Sequence, residues 1–160
     1  MTITFISDRA KVDLPQLQHL LAIGAFWATD RTLTDLATAI QHSEPVVTAW
    51  DGERLIGFAR ATSDHVYRAV LWDVVIHPEY RGQGLGRTLV ATVLAHPSVN
   101  QVERVYLMTS SQQGFYERLG FTENLTTTMV LFNRQPALAL PELERLIETP
   151  DSAVAPATHG

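Results

Sequence analysis

Residues 67–76 read YRAVLWDVVI, apolar at nearly every position, as expected of a strand covered on both faces in the interior of a sheet. HPEYRGQGLGR follows at once, with glycine at alternate positions 82, 84 and 86, and runs into RTLVATVLAH, whose pattern predicts a helix ending before Pro97. ERVYLMT (103–109) then predicts another strand. Strand, loop, helix, strand is a parallel crossover, right-handed in nearly all cases, and it commits the chain to an α/β arrangement on a mixed sheet.

The flanking segments supply the rest of the expected order. TITFIS (2–7) alternates as a first strand, and leucines 14, 17, 20 and 21 recur at helical spacing, which predicts a helix over about 13–23. LTDLATAIQHS repeats that spacing and stops before Pro45. In VVTAWDGERLIGFARAT, Asp51-Gly52 separates two strand-like runs and predicts a tight hairpin. SQQGFYERLG reads as a short helix ended by Gly120, and TTTMVLF (126–132) as a final strand. Residues 1–134 are expected to form the domain and 135–160 an extension, partly disordered. One domain suffices for 160 residues.

Several function classes are disfavoured. No cysteine is present, so disulfides, thiol nucleophiles and thiolate metal sites are excluded, and no histidine pair stands at the i, i+4 spacing of a helical metal site. No metal is expected. A net charge of −5 argues against nucleic acid, whose phosphates call for clustered positive charge. No apolar run reaches the ~20 residues of a membrane span, and the start lacks the pattern of a secretory signal, so no membrane association and a cytoplasmic protein are the expectation.

A glycine loop between strand and helix is a backbone device for holding phosphate, because free amides and the helix dipole both favour an anion. A dinucleotide fingerprint, G-x-G-x-x-G, would need a third glycine where Arg87 stands. A P-loop would need a glycine where Arg81 stands, and a lysine that is missing. The pattern R-x-x-G-x-G is met by Arg81, Gly84 and Gly86. In this the chain resembles the GCN5-related N-acetyltransferase superfamily, whose [RQ]-x-x-G-x-[GA] loop binds the pyrophosphate of acetyl-CoA. GFYERLGF (114–121) resembles the superfamily's second marker, a fourth-helix tyrosine ahead of Gly-Phe. The predicted order, β-α-α-β-β-β-α-β-α-β with a further strand optional, is also that superfamily's. SDHVYRAVLWDVVIHPEYRGQGLGR and VERVYLMTSSQQGFYERLGFTENLTTTMVL are similar to a plastid and cyanobacterial branch associated with acetylation of arylalkylamines such as serotonin and of protein lysines.

The resemblance implies acetyl-CoA as donor co-substrate and a set of roles. The amides of Gly82, Gln83, Gly84, Leu85, Gly86 and Arg87 would bind pyrophosphate, with Arg81 and Arg87 adding charge. Val74, Val75 and Ile76, on a fourth strand splayed from the fifth, would hold the pantetheine arm and polarise the thioester carbonyl. Thr109 and Ser110 stand where relatives often carry a cofactor-holding asparagine. Tyr116 would donate to the departing sulfur. A phenol near ~10 protonating a thiolate near ~8.5 runs uphill by about 2 kcal/mol, so its pKa must be lowered or it must act mainly as a hydrogen-bond donor.

The acceptor must lose a proton. An alkylamine of pKa ~10.4 is mostly charged at neutral pH, a deficit of about 4–5 kcal/mol. Asp73, the only acid within the central strand, is either the base or a hydrogen-bonded structural acid. Phe26, Trp27, Trp72 and Tyr67, with Tyr106, are candidate aromatic walls for the amine. Two other readings stay open: a protein-lysine or N-terminal acetyltransferase, and a non-catalytic acyl-CoA-binding domain. The resemblance normally brings two strands after the fourth helix. Only one is clear here, so either the short segment Gly120 to Glu123 supplies the other or a second subunit completes the sheet edge, which makes a homodimer a further expectation.

Overall fold

In the computed structural model, residues 2–134 are described, and the expected C-terminal extension lies outside them. Five strands, β1 (Ile3–Ile6), β2 (Val46–Asp51), β3 (Arg54–Ser63), β4 (Arg68–Ile76) and β5 (Arg104–Tyr106), form one sheet in that order. Pairs β1–β2, β2–β3 and β3–β4 are antiparallel and β4–β5 is parallel. The mixed sheet and the crossover are therefore as expected. The hairpin turns at Gly52, whose φ of 57° lies in the left-handed region that glycine tolerates.

Helices α1 (Leu14–Gly24) and α2 (Leu33–Gln41) start where Asp13 and Thr32 accept from the amides of Gln16 and Asp35. Pro15 sits in the first turn of α1, where its missing N–H costs nothing. Leu17, Leu20 and Leu21 bury against Leu55, Phe58 and Val75 on one face of the sheet. α3 (Leu85–Ala95) covers the other face, placing Leu89, Val90 and Val93 against Val47, Ile56 and Leu71. The sheet is thus sandwiched, which is why β4 reads as an almost unbroken apolar run. A short helix α4 (Pro97–Asn100), capped by His96, follows α3, and α5 (Gln113–Glu117) packs Tyr116 into the α3 side.

Two expectations on strands need correction. β5 is three residues long rather than seven. Residues 126–132 form no strand, and Met129, Val130 and Leu131 stay exposed although TTTMVLF has the β-branched composition of one. Propensity alone does not make a strand; a partner edge must receive it. No helix among the described residues is long and apolar enough to cross a membrane.

Candidate active site

The glycine loop takes its shape from backbone conformation. Gly82 and Gly84 have φ of 76° and 77°, and a Cβ at either position would meet nothing within 4 Å. Their glycines are demanded by the left-handed region, and the space before them is open. Gly84 is the N-cap of α3 and offers no side chain to its first turn. The amides of Leu85, Gly86 and Arg87 lie in that turn, where no carbonyl of the helix can reach them, and this is the arrangement that receives an anion. Gly86 differs, since a Cβ there would lie 3.5 Å from the Phe115 ring.

Arg81 is tied into the scaffold below the loop. Its Nε donates to the Ile76 carbonyl at 3.1 Å and its Nη2 to the Gly24 carbonyl at 3.2 Å, and burial lowers its pKa. The guanidinium braces the loop against the ends of β4 and α1. Gln83 and Arg87 are exposed. Upstream, His77 Nδ1 accepts from the Glu79 amide at 3.2 Å and so caps the short 3₁₀ turn Pro78–Tyr80 that leads into the loop.

The fourth and fifth strands part company early. Their register runs Arg68–Arg104, Ala69–Val105 and Val70–Tyr106, after which β5 stops and β4 continues to Ile76. Val74, Val75 and Ile76 therefore lie in the stretch beyond β5, buried between the helical layers.

Tyr116 is 2% exposed and its ring makes edge contacts with Phe115 and Phe121. Among the described residues its hydroxyl has no hydrogen-bond partner, and burial pushes the phenol well above its ordinary pKa. An orphan hydroxyl of this kind costs about 1–3 kcal/mol. It lines a cavity of about 450 Å³ together with Tyr106, Met108, Thr109, Gln113 and Phe121. Thr109 Oγ1 accepts from the Gln112 amide and the Ser110 carbonyl from Gln113 Nε2, so both residues shape the entry into α5.

Asp73 lies where β3 and β4 slip register. Phe58 faces Val75 and Arg60 faces Trp72, leaving Asp73 and Val74 opposite Ala59 alone. This is a bulge, and Asp73 holds the left-handed φ of 53° within it. Its carboxylate, 1% exposed, accepts from Arg60 Nε at 2.8 Å, Arg31 Nη1 at 3.1 Å and Trp27 Nε1 at 3.4 Å. Burial alone would raise its pKa, but the two guanidiniums hold it below the usual carboxylate range. Sequence reasoning missed both arginines, because nothing local marks residues 31 and 60 as partners of residue 73.

The expected aromatic walls separate. Phe26 and Trp27 meet edge to face at 5.2 Å on the turn after α1, and Trp27 reaches β4 through Asp73. Trp72 donates to Thr62 Oγ1 at 2.9 Å and lies under the Arg60 guanidinium, so it is held within the β3–β4 pair. Tyr67 is 60% exposed and precedes the first residue of β4. It thus stands at the opposite end of the strand from Val74. Among the described residues no group of three or more His, Asp or Glu is placed to hold a metal.

The profile of the Acetyltransferase (GNAT) family matches residues 14–121. The chain is 38% identical over 137 residues to "GCN5-related N-acetyltransferase 2, chloroplastic" of Arabidopsis thaliana, covering 72% of this chain and 52% of that protein. It is 37% identical over 128 residues to "Histone acetyltransferase TAP1" of Glycine max, covering 72% and 54%. It thus spans about half the length of these plant relatives. A crystal structure of a GNAT-family protein from Xanthomonas campestris pv. campestris superposes with a TM-score of 0.76 at 32% identity, covering 86% of this chain and 96% of that one. Loop, splayed strands and tyrosine cavity thus stand in a chain that belongs to the GNAT acetyltransferase family.

Proposed function

We propose that the protein transfers the acetyl group of acetyl-CoA to a primary amine by direct attack. The buried Tyr116 hydroxyl, without a partner among the described residues at the wall of a cavity that runs from Val105 in β5 to Thr109 past its end, carries this reading. Among the described residues it has no hydrogen-bond partner, and a leaving thiolate would be one. The open loop fits the donor as well: the amides from Gly82 to Arg87 would take its pyrophosphate, and Val74 to Ile76 its pantetheine arm and thioester. In the reaction the amine nitrogen bonds the carbonyl carbon, the C–S bond breaks, and the amine's proton passes to solvent.

The raised phenol pKa makes Tyr116 a hydrogen-bond donor to the sulfur rather than the source of its proton. Asp73, ionised and engaged by two guanidiniums, is a weak base. We read it as a structural acid of the site, with a solvent-linked water as the amine's proton acceptor.

For the acceptor we propose an arylalkylamine such as serotonin, seated against Phe26 and Trp27. A lysine side chain of a protein is the second reading. It gains from the dispersal of the other aromatics, Tyr67 at the far end of β4 and Trp72 tied into the sheet. We also propose a homodimer that covers the β5 edge beside exposed Leu125, Met129 and Val130. Sedimentation showing a monomer at assay concentration would contradict it. Release of free CoA, measured with serotonin, tryptamine, polyamines and lysine peptides, tests the activity. Turnover on at least one amine is expected, whereas acetyl-CoA binding without turnover on any would leave only an acyl-CoA-binding domain.

A further inference from the structure

Arg31 belongs to no motif, yet it joins three elements. Its Nη1 bonds Asp73 in the β4 bulge at 3.1 Å, its own carbonyl accepts from Gln18 Nε2 on α1 at 2.9 Å, and it stands just after the turn carrying Phe26 and Trp27. Trp27 reaches the same carboxylate through its indole N–H. Arg60 completes the cluster from β3 and is itself bonded to the buried Ser43 hydroxyl at 3.2 Å. One carboxylate thus receives donors from the 26–31 segment and from β3, while its own backbone holds a left-handed bulge. A non-glycine residue in that region is strained by about 1–2 kcal/mol and persists only where its surroundings over-determine it.

We propose that Arg31 is a positioning residue for the acceptor, clamping the Phe26–Trp27 wall to the bulge of β4 through Asp73. The wall that receives the amine and the strand that holds the thioester then move as one body. Arg31 touches neither substrate in this scheme. Its contribution is to keep the two walls at a fixed separation, which matters because misplacing reacting atoms by about 1 Å is costly in rate. The proposal rests on the reading that the acceptor sits between that wall and β4.

The test uses the full chain and two independent readouts. The first is hydrogen exchange of peptides covering residues 25–32 and 70–76, which needs no turnover. The second compares acceptor KM, kcat and acetyl-CoA Kd. Arg31→Met, which keeps much of the side-chain stem, is expected to speed exchange of the 25–32 peptide by about tenfold. It should raise acceptor KM by about tenfold and leave acetyl-CoA Kd within about twofold. Arg31→Lys should restore part of both effects. Trp27→Phe removes the indole donor together with part of the ring's packing, and should loosen the same peptide if Arg31→Met fails to fold. Unchanged exchange in both variants overturns the clamp. Faster exchange with unchanged acceptor KM overturns its role toward the acceptor, as does an equal loss of acetyl-CoA affinity. If no amine turns over, the acetyltransferase reading fails while the exchange experiment still decides the clamp.

Discussion

Arg60 Nε donates to Asp73 Oδ2 across 2.8 Å, at the point where β3 and β4 lose register. A charged contact thereby holds the strand irregularity in place. Removing Asp73 leaves Arg60 and Arg31, whose side chains are 13% and 21% exposed, without their counter-charge. Breaking a buried pair from one side costs about 3–5 kcal/mol, and Asp73→Ala is expected to lose that much in urea unfolding. A loss below about 1 kcal/mol, typical of exposed pairs, would show that the bulge does not depend on the cluster.

Stability should fall in two stages on acidification. Burial lowers the pKa of His77, and the neighbouring Arg54 guanidinium lowers it further. The unfolded chain therefore binds the proton more readily than the folded one, and stability declines as pH drops below about 6.5. For Asp73 the folded pKa is also depressed, so its contribution is present above about 3.9 and is lost as pH falls through the folded value. His77→Asn keeps an acceptor for the Glu79 amide but cannot titrate. Its melting temperature should lack the first decline and retain the second.

The loop glycines should separate by conformation. Gly84→Ala places a Cβ at φ 77° and is expected to cost about 1–2 kcal/mol and to weaken acetyl-CoA binding. Gly86→Ala lies in the first turn of α3 at ordinary contact distance from Phe115, so its stability should change by less than about 0.5 kcal/mol. Thermal unfolding and acetyl-CoA titration of the two variants check this. Equal costs would mean that the left-handed conformation is not what fixes glycine at residue 84.

How much of this was legible beforehand follows the range of the interactions involved. α1, α2, the Gly52 hairpin and the crossover were readable because caps, apolar spacing and turn residues act within a few positions. The loop was readable for the same reason, its glycines answering to local φ. The bracing contacts of Arg81 leave no local trace, since its partners are carbonyls at residues 76 and 24, the second far away in sequence. Arg31 and Arg60 were invisible, because charge pairing across 42 and 13 positions leaves no periodic trace. The place of Tyr67 was not legible, because aromatic character says nothing about which end of a strand a residue occupies. The TTTMVLF segment has strand composition but no partner strand among the described residues, and pairing is a property of two segments.

The central claim is that the Tyr116 hydroxyl is kept buried and unpaired so that it can meet the departing sulfur. Tyr116→Phe removes only that oxygen. Its kcat with the best amine of the panel should fall by about 100-fold, while acetyl-CoA Kd stays unchanged. Unfolding free energy should hold or rise by about 1 kcal/mol, since an unsatisfied polar group has been deleted. An unchanged kcat for Tyr116→Phe, in a variant that binds acetyl-CoA normally, would contradict the account.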